Sequence, residues 1–153
     1  INWRLVYFDE LAAIYLRKGY AEGVPKVDPE SYASLRRTIS DEEGDALLSK
    51  KFDRSLLDPF IRQQYYPIRE SEISVFCYYN GWFTAAIRMA LGGIKKSTVD
   101  CPELFVNLGL YFHNQKDYNR ARICLERFLN EGYYYPGAVE TLSTIMNQQR
   151  EEN

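Results

Sequence analysis

The sequence has few of the residues that most often carry catalytic or metal chemistry. His113 is the only histidine, and the three cysteines, Cys77, Cys101 and Cys124, form no C-x-x-C pair. This excludes metal sites built on several histidines and gives a site that combines cysteine with histidine little support. We therefore predict no catalytic residues, no metal and no cofactor. We expect the cysteines to be small buried hydrophobic residues.

The sequence also lacks an excess of one charge and a long apolar run. It carries 19 Lys and Arg against 21 Asp and Glu, a formal net charge of −2, with both signs interspersed. Nucleic acid and anionic lipid attract basic surfaces, so we expect neither as a partner. No stretch approaches the ~18 uncharged apolar residues of a membrane span. We therefore expect no membrane insertion by this segment.

The sequence says less about the cellular compartment of the protein. Unpaired cysteines favour a reducing compartment and therefore the cytoplasm. The chain opens on Ile1 rather than on Met, directly inside an amphipathic pattern, so we interpret it as part of a longer protein. A missing leader or anchor then carries no information, and a periplasmic or secreted location stays open.

Aromatic residues are the abundant feature. The 153 residues are 46% apolar and 26% charged, an ordinary globular composition that allows one domain with a sizeable core. They include 13 Tyr, 8 Phe and 2 Trp. Tyrosine combines a large contact area with a polar tip, so an aromatic-rich chain suits both packed helix pairs and binding surfaces. We expect helix packing to account for most of these rings.

Three prolines set the register of an internal repeat. Pro67, Pro102 and Pro136 are 35 and 34 residues apart. Apolar residues follow each proline at one position, small residues at the next, and apolar residues again three positions later. In chain order these are Ile73, Leu108 and Leu142, then Ser74, Gly109 and Ser143, then Cys77, Phe112 and Met146. A period of this length indicates stacked helical hairpins.

The second half of each unit agrees with this register. Asn80-Gly81-Trp82-Phe83 lies 35 residues before Gln115-Lys116-Asp117-Tyr118, and Ala86 lies 35 residues before Ala121. Gly132 is placed to end a helix, and we interpret Gly92-Gly93 as another helix end. The pattern predicts helix pairs over 68–80 with 83–93 and over 103–114 with 118–131, then a helix from about 137.

The unit that starts at Pro102 resembles the tetratricopeptide repeat, a helical hairpin of about 34 residues with a W-x2-L-G-x2-Y…A-x3-F…P pattern. The residues that match the pattern are Phe105, Leu108-Gly109, Phe112, Ala121 and Leu125. The unit at Pro67 departs from the pattern because Glu70 replaces the aromatic residue. The resemblance implies an all-α fold in which residues 67–150 form TPR-like helical-hairpin repeats, an α-solenoid, with a C-terminal end helix.

Residues 1–66 are less regular. Phe8, Tyr15 and Gly19-Tyr20 imitate the first helix and turn of the same repeat, but Gly23 and Pro25 interrupt the second helix. No strand-like alternation of useful length is present. We therefore interpret this part as an irregular helical region, with a degenerate repeat that carries an insertion as one reading.

Capping signals locate helices within that region. Asp28-Pro29-Glu30 predicts one helix start, because proline is favoured at the first helical position. Ser40-Asp41-Glu42-Glu43 is a capping box and predicts another. A third helical region would be divided by Asp58-Pro59.

The resemblance also implies a site for a partner. In this family the first helices of the units line a concave groove. Carried over residue by residue, the groove would contain Val75, Tyr78, Tyr79, Val106, Leu110, His113, Asn114 and Asn147, together with Ile68, Ser71, Glu103, Gly137, Glu140, Thr144 and Gln148. Aromatic, amide and aliphatic groups of this kind suit an extended peptide or a partner helix. For Tyr78 and Tyr79, ordinary packing between units is the competing interpretation.

The sequence therefore favours a protein–protein interaction module, a scaffold or an assembly factor, over an enzyme. Its partner would be another protein or peptide, and self-association stays open. One alternative is a non-catalytic helical segment of a larger enzyme. Another is a lipid- or small-ligand-binding helical domain, which would need a closed apolar cavity. A nucleophilic pair of Cys77 and His113, close by repeat position, has the least support.

Overall fold

The described part of the chain is mostly helical, with one small sheet near its beginning. The computed structural model describes residues 3–8, 13–31, 39–52 and 64–151. Its helices are α1 (Asp41–Leu48), α2 (Ile68–Tyr79), α3 (Phe83–Lys96), α4 (Pro102–Asn114), α5 (Tyr118–Asn130) and α6 (Pro136–Glu151). Its strands are β1 (Trp3–Phe8) and β2 (Ala13–Arg17), and a 3₁₀ turn covers Lys18–Tyr20.

Helices α4 and α5 form an antiparallel hairpin, as the repeat register predicts. Gly109, in the middle of α4, faces Leu125 in the middle of α5. Nearer the start of α4, the Phe105 ring lies 3.8 Å from the Arg127 guanidinium, near the end of α5. Contacts therefore run in opposite directions along the two helices, which confirms the second helix pair.

Helices α2 and α3 pair in the same way. The Tyr78 ring, near the end of α2, lies 5.6 Å from the ring of Phe83 at the start of α3. At the other end of the hairpin, the Lys96 ammonium lies 2.7 Å from the Glu70 carboxylate. The predicted first helix pair is confirmed, although α3 is longer than expected.

The two hairpins stack with their first helices side by side. Tyr78 of α2 stacks on Tyr111 of α4 with ring centroids 4.8 Å apart, and Ser74 Oγ shares a hydrogen bond of 3.2 Å with the Tyr111 hydroxyl. These pairs join residues about one repeat apart, so the sequence period is also a spatial period. Helix α6 continues the array by packing against α4 and α5, with Ala138 and Ile145 buried.

The turns inside the two hairpins share one backbone design. Gly81 and Lys116, which are 35 residues apart, both have left-handed backbones, with φ of 77° and 61°. In each turn the next residue donates its N–H to the carbonyl five residues back, at 2.9 Å: Trp82 to Cys77, and Asp117 to Phe112. This arrangement satisfies carbonyl groups that the helix end leaves without partners.

The N-terminal residues correct the sequence interpretation. Phe8 and Tyr15, expected in a helix, lie on β1 and β2, which pair antiparallel with an irregularity between Leu5 and Tyr7. Aromatic and β-branched residues make up most of β1 and include Ile14 and Tyr15 of β2, which favours extended backbone. The Phe8 ring lies 5.5 Å from Trp82, so the hairpin covers the free side of the first helix pair.

Both capping signals that fall on described residues are confirmed. Ser40 Oγ accepts the Glu43 N–H at 3.2 Å, and α1 starts at Asp41. Residues 29–31 are helical, and Asp28 Oδ1 accepts the Glu30 N–H at 3.1 Å. The third region, around Asp58-Pro59, lies outside the described residues.

Helix α1 packs across the second helices of both hairpins. A side chain on Gly44 would meet Leu91 of α3 at 3.6 Å. Arg120 of α5 forms an ion pair with Asp45 at 2.7 Å. Helix α1 therefore braces α3 and α5.

Gly92-Gly93 is not a helix end, and this prediction is wrong. Helix α3 continues through both residues to Lys96. A methyl group on Gly93 would lie 2.8 Å from Leu104 Cδ1 and 3.0 Å from Glu70 Cβ. Gly93 is therefore the point at which α3 approaches both α2 and α4 too closely for a side chain.

All three cysteines are free and buried, as predicted. They belong to one core that also includes Leu104, Phe105 and other residues of every helix pair. In the part of the chain that the structure describes, no helix is long and apolar enough to cross a membrane.

Substitution of the two neighbouring glycines should separate packing from helix propensity. Gly92 has open space around its Cα, so Gly92→Ala should stabilise the protein by up to ~1 kcal/mol. Overpacking typically costs about 1–3 kcal/mol, so Gly93→Ala should lower the free energy of unfolding despite the same gain in propensity. Urea unfolding followed by circular dichroism measures both. Equal effects of the two substitutions would contradict the close approach at Gly93.

Substitution of the residue with left-handed backbone should change the free energy of unfolding in opposite directions in the two turns. Left-handed backbone costs a residue with a side chain about 1 kcal/mol that glycine does not lose. Lys116→Gly should therefore raise the free energy of unfolding by about 0.5–1 kcal/mol, since the greater freedom of glycine in the unfolded chain offsets part of the gain. Gly81→Lys should lower it. Shifts of the same sign in thermal melts would show that the two turns are not equivalent.

Candidate functional site

The predicted groove residues lie on the first helices of the three units. Those of α2 and α4 are in contact, because Asn114 Nδ2 donates to the Tyr78 hydroxyl at 2.7 Å. Tyr79 is 81% exposed, and its ring lies 5.7 Å from that of Tyr78. We call the set Val75, Tyr78, Tyr79, Val106, Leu110, His113, Asn114 and Asn147 the first-helix face.

Members of this face differ in how much surface they leave open. Tyr79, Asn114 and Asn147 are exposed, whereas Val106 and Leu110 are half-buried against the core. Helix α6 is one unit further from α2 than α4 is, so Asn147 extends the face rather than joining the Tyr78 contacts. The exposed groups available to a partner are therefore one aromatic ring and two amides.

Tyr78 and Tyr79 are adjacent in sequence but have different environments. Tyr78 is half-buried; its ring stacks on Tyr111, meets Phe83 edge-on, and its hydroxyl accepts from Asn114. These contacts join two hairpins, which is the packing role that competed with binding. Tyr79 keeps most of its surface in solvent. Only Tyr79 therefore offers a partner a large exposed ring.

The surroundings of His113 and Cys77 give no support to an activated pair. The half-buried His113 ring lies 5.8 Å from Tyr118. Burial raises the pKa of the Cys77 thiol to about 12, so the thiol stays protonated at neutral pH and is a poor nucleophile. Among the described residues, no three His, Cys, Asp or Glu side chains gather as a metal site would require.

The charge around this face is acidic or neutral. Glu103 and Glu140 are exposed at family-implied positions, and none of those positions holds Lys or Arg. The Tyr66 hydroxyl donates to the Glu103 carboxylate. Burial, together with this hydrogen bond, raises the pKa of Tyr66. The face therefore has no cation with which to attract an acidic segment.

Glu70 anchors a polar network that the sequence pattern did not reveal. Its buried carboxylate accepts from the Lys96 ammonium at 2.7 Å and from the Tyr65 hydroxyl at 2.8 Å. The Tyr65 backbone N–H in turn donates to Thr98 Oγ1 at 2.8 Å. The network ties the segment before α2 to the segment after α3. The sequence signal for this network was Glu70 itself, a carboxylate at a position where the repeat pattern has an aromatic residue.

Competing effects set the ionisation of Glu70. Burial alone would raise its pKa, but the hydrogen bonds from Lys96 and Tyr65 outweigh burial and hold the pKa below its usual range. The carboxylate is therefore ionised at neutral pH, and the pair with Lys96 is a charged one.

Two clefts border α1, and neither is a closed apolar cavity. One, of about 420 Å³, lies between the end of α1 and α5 and is lined by Lys50, Lys51, Asp100 and Arg127 among others. The other, of about 340 Å³, includes Asp41, Arg88, Asp117 and Arg120 in its lining. Charged linings of this kind give no support to the lipid-binding alternative.

Removal of the Lys96 charge should change both stability and its pH dependence. A folded-state pKa below the unfolded value of about 4.3 stabilises the fold above that pH, and the contribution is lost as the pH falls through the folded pKa. Loss of one partner from a buried pair is strongly destabilising, and we expect about 1–3 kcal/mol for Lys96→Met because Lys96 is partly exposed. The deficit should shrink as the pH falls through the folded-state pKa of Glu70, which lies below that unfolded value.

The neighbouring lysine provides the control for this substitution. Lys95 pairs with Glu43 on the surface, so Lys95→Met should cost less than about 1 kcal/mol at any pH. Urea unfolding between pH 3 and pH 8 measures both variants. A Lys96→Met deficit that is independent of pH would show that the charge of Glu70 is not involved.

Comparisons with protein-family models, with curated proteins and with solved structures found no match for this chain. The resemblance of residues 67–150 to the tetratricopeptide repeat therefore rests on the residues that carry it.

Proposed function

We propose that this chain is a protein–protein interaction module of the TPR-like α-solenoid type, which binds a peptide or a partner helix on its first-helix face. The observation that carries the proposal is Tyr79, a large ring that is 81% exposed beside the contact between two stacked hairpins. Exposed aromatic rings near apolar neighbours are common anchors of protein interfaces.

The arrangement of the helices supports this choice of face. Helix α1 covers α3 and α5 through Leu91 and Arg120, and the β-hairpin covers the end of the first unit through Phe8. Tyr79 of α2, by contrast, keeps most of its surface in solvent. Tyr79 is therefore accessible to a partner without displacement of α1 or of the described β-strands.

The side chains of the face suggest how a partner would be held. The Tyr79 ring offers a flat apolar contact, and the exposed amide of Asn147 offers both a donor and an acceptor. Asn114 is oriented by its bonds to the Tyr78 hydroxyl and the Leu110 carbonyl. Carboxylates at Glu103 and Glu140 favour a neutral or basic segment over an acidic one.

Truncation of Tyr79 should weaken binding without weakening the fold. Peptides selected from a random phage-displayed library on the immobilised chain serve as probes, and fluorescence anisotropy gives their affinity. Loss of an interface anchor commonly costs about 2 kcal/mol, or roughly 30-fold in Kd. Tyr79→Ala should show that loss, with the free energy of unfolding changed by less than about 0.5 kcal/mol. Tyr78→Ala should lower the melting temperature first.

Tyr134 provides a matched control for this experiment. It is a tyrosine of similar exposure, 76%, in the segment between α5 and α6. Tyr134→Ala should leave both peptide affinity and stability unchanged. Failure to select any peptide, or equal affinities for the Tyr79→Ala and wild-type chains, would show that the first-helix face is not the binding surface.

A further inference from the structure

Helix α6 carries an apolar stripe on a side that no second helix of the described residues covers. The stripe consists of Val139, Ser143 and Met146, which we call the α6 outer stripe. Val139 is 39% exposed and Met146 is 43% exposed, and Ser143 is also exposed. The spacing of these residues places them on one side of the helix.

The equivalent residues of the earlier units are buried under a second helix. One unit earlier they are Phe105, Gly109 and Phe112, where the two aromatic residues are 1% and 5% exposed. Gly109 lies so close to α5 that a methyl group on it would sit 2.5 Å from Leu125 Cδ2. The first unit has Glu70, Ser74 and Cys77 at these positions, all buried beside α3. The α6 outer stripe is thus the same surface without its covering helix.

The back of α6 is already held in place. Ala138 and Ile145 are fully buried, and Gln149 accepts a hydrogen bond from Arg122 of α5 at 3.4 Å. An end helix whose only role is to present a polar surface would carry polar residues along its outer side. Here the polar run begins at Asn147, after the stripe, whereas Val139 and Met146 are apolar.

We propose that the α6 outer stripe is a docking site for an amphipathic helix of a partner protein, which packs on α6 as α3 packs on α2 and α5 packs on α4. The two observed helix pairs, α2 with α3 and α4 with α5, indicate which residues this partner helix would carry. Each covering helix begins with an aromatic residue three positions before a buried alanine, Phe83 before Ala86 and Tyr118 before Ala121. The partner helix would place a small residue opposite Ser143 and an apolar stripe along Val139 and Met146.

This site is distinct from the first-helix face. Asn147 belongs to that face, and a residue one position further along a helix points about 100° away from Met146. The two proposals can therefore fail independently of each other.

A thiol at the centre of the stripe reports docking directly. In a Ser143→Cys chain the added thiol is exposed, whereas Cys77, Cys101 and Cys124 are buried and react slowly with a maleimide. The probe is a synthetic peptide of residues 115–131 with Cys124→Ala, which is the helix that covers the equivalent surface of α4. Saturating peptide should slow labelling of the new thiol about tenfold or more, and a scrambled peptide should not.

A helix supplied in the same chain tests the surface when the free peptide is too poorly helical to bind. A copy of residues 115–132, again with Cys124→Ala, that replaces the chain after Gln148 places a covering helix next to α6 at the repeat spacing. Labelling of Ser143→Cys should slow to the same extent, and the melting temperature should rise. Met146→Glu should restore fast labelling in both formats, and Thr144→Glu, on the opposite side of α6, should not.

Two results would overturn the proposal. One is unchanged labelling with both the peptide and the attached helix. The other is a concentration-dependent dimer of the unmodified chain that Met146→Glu abolishes, because the stripe would then be covered by a second copy. Tyr79→Ala should leave labelling and its protection unchanged, which keeps this outcome separate from that of the first-helix face.

Discussion

Close approach of helices at small residues is the constraint on which the rest of the structure depends. Gly109 admits Leu125 into the centre of the α4–α5 hairpin, and Gly93 admits Leu104 between the two hairpins. A single amphipathic hairpin cannot bury its own apolar stripe, so each unit needs a neighbour at short distance. Small residues recur with the repeat at Ser74, Gly109 and Ser143, and Gly109 lies where the two helices of one unit meet. The contact at Gly93 does not recur in this way, because Phe128 stands 35 residues later.

The two complete units share one backbone geometry, but different side chains occupy equivalent positions in them. Gly81 in one turn and Lys116 in the other adopt the same left-handed backbone, and both turns satisfy the same carbonyl groups. The position of Phe105, which lies against Arg127, is occupied in the first unit by Glu70, which pairs with Lys96. Both solutions pair a group on the first helix with a cation on the second. A repeat can therefore lose its aromatic signature and keep its geometry.

The part of the fold that depends on local pattern could be predicted from the sequence. The spacing of Pro67, Pro102 and Pro136 and the capping box at Ser40 located the helix starts within one residue, because these signals act on the chain next to them. The end of α3, predicted at 93, lies three residues later at Lys96. The β-hairpin was missed because the apolar spacing around Phe8 fits a helix as well as a strand, and contacts with Phe76 and Trp82, distant in sequence, accompany the extended form.

Two other features also depend on contacts between residues that are distant in sequence. Gly93 was predicted to end a helix, and the role of Glu70 was not predicted. Two glycines after an apolar run usually end a helix, and only the packing of α3 against α2 and α4 shows why this helix continues. The candidate site was predictable as a set of positions, since these follow from the repeat register. The sequence did not predict that Tyr79 rather than Tyr78 is exposed, because this depends on the Tyr111 ring of the next unit.

An array built from stacked units leaves two kinds of surface open, and both follow from its construction. Stacking buries the sides of each hairpin that face its neighbours, so one layer of helices remains exposed along the array and one stripe remains exposed at its end. Here the N-terminal region covers the α3–α5 layer and the outer side of the first unit. Among the described residues, the layer of first helices exposes Tyr79, and the end of the array exposes Val139 and Met146. Exposed apolar side chains at both places give a partner surface on which to pack.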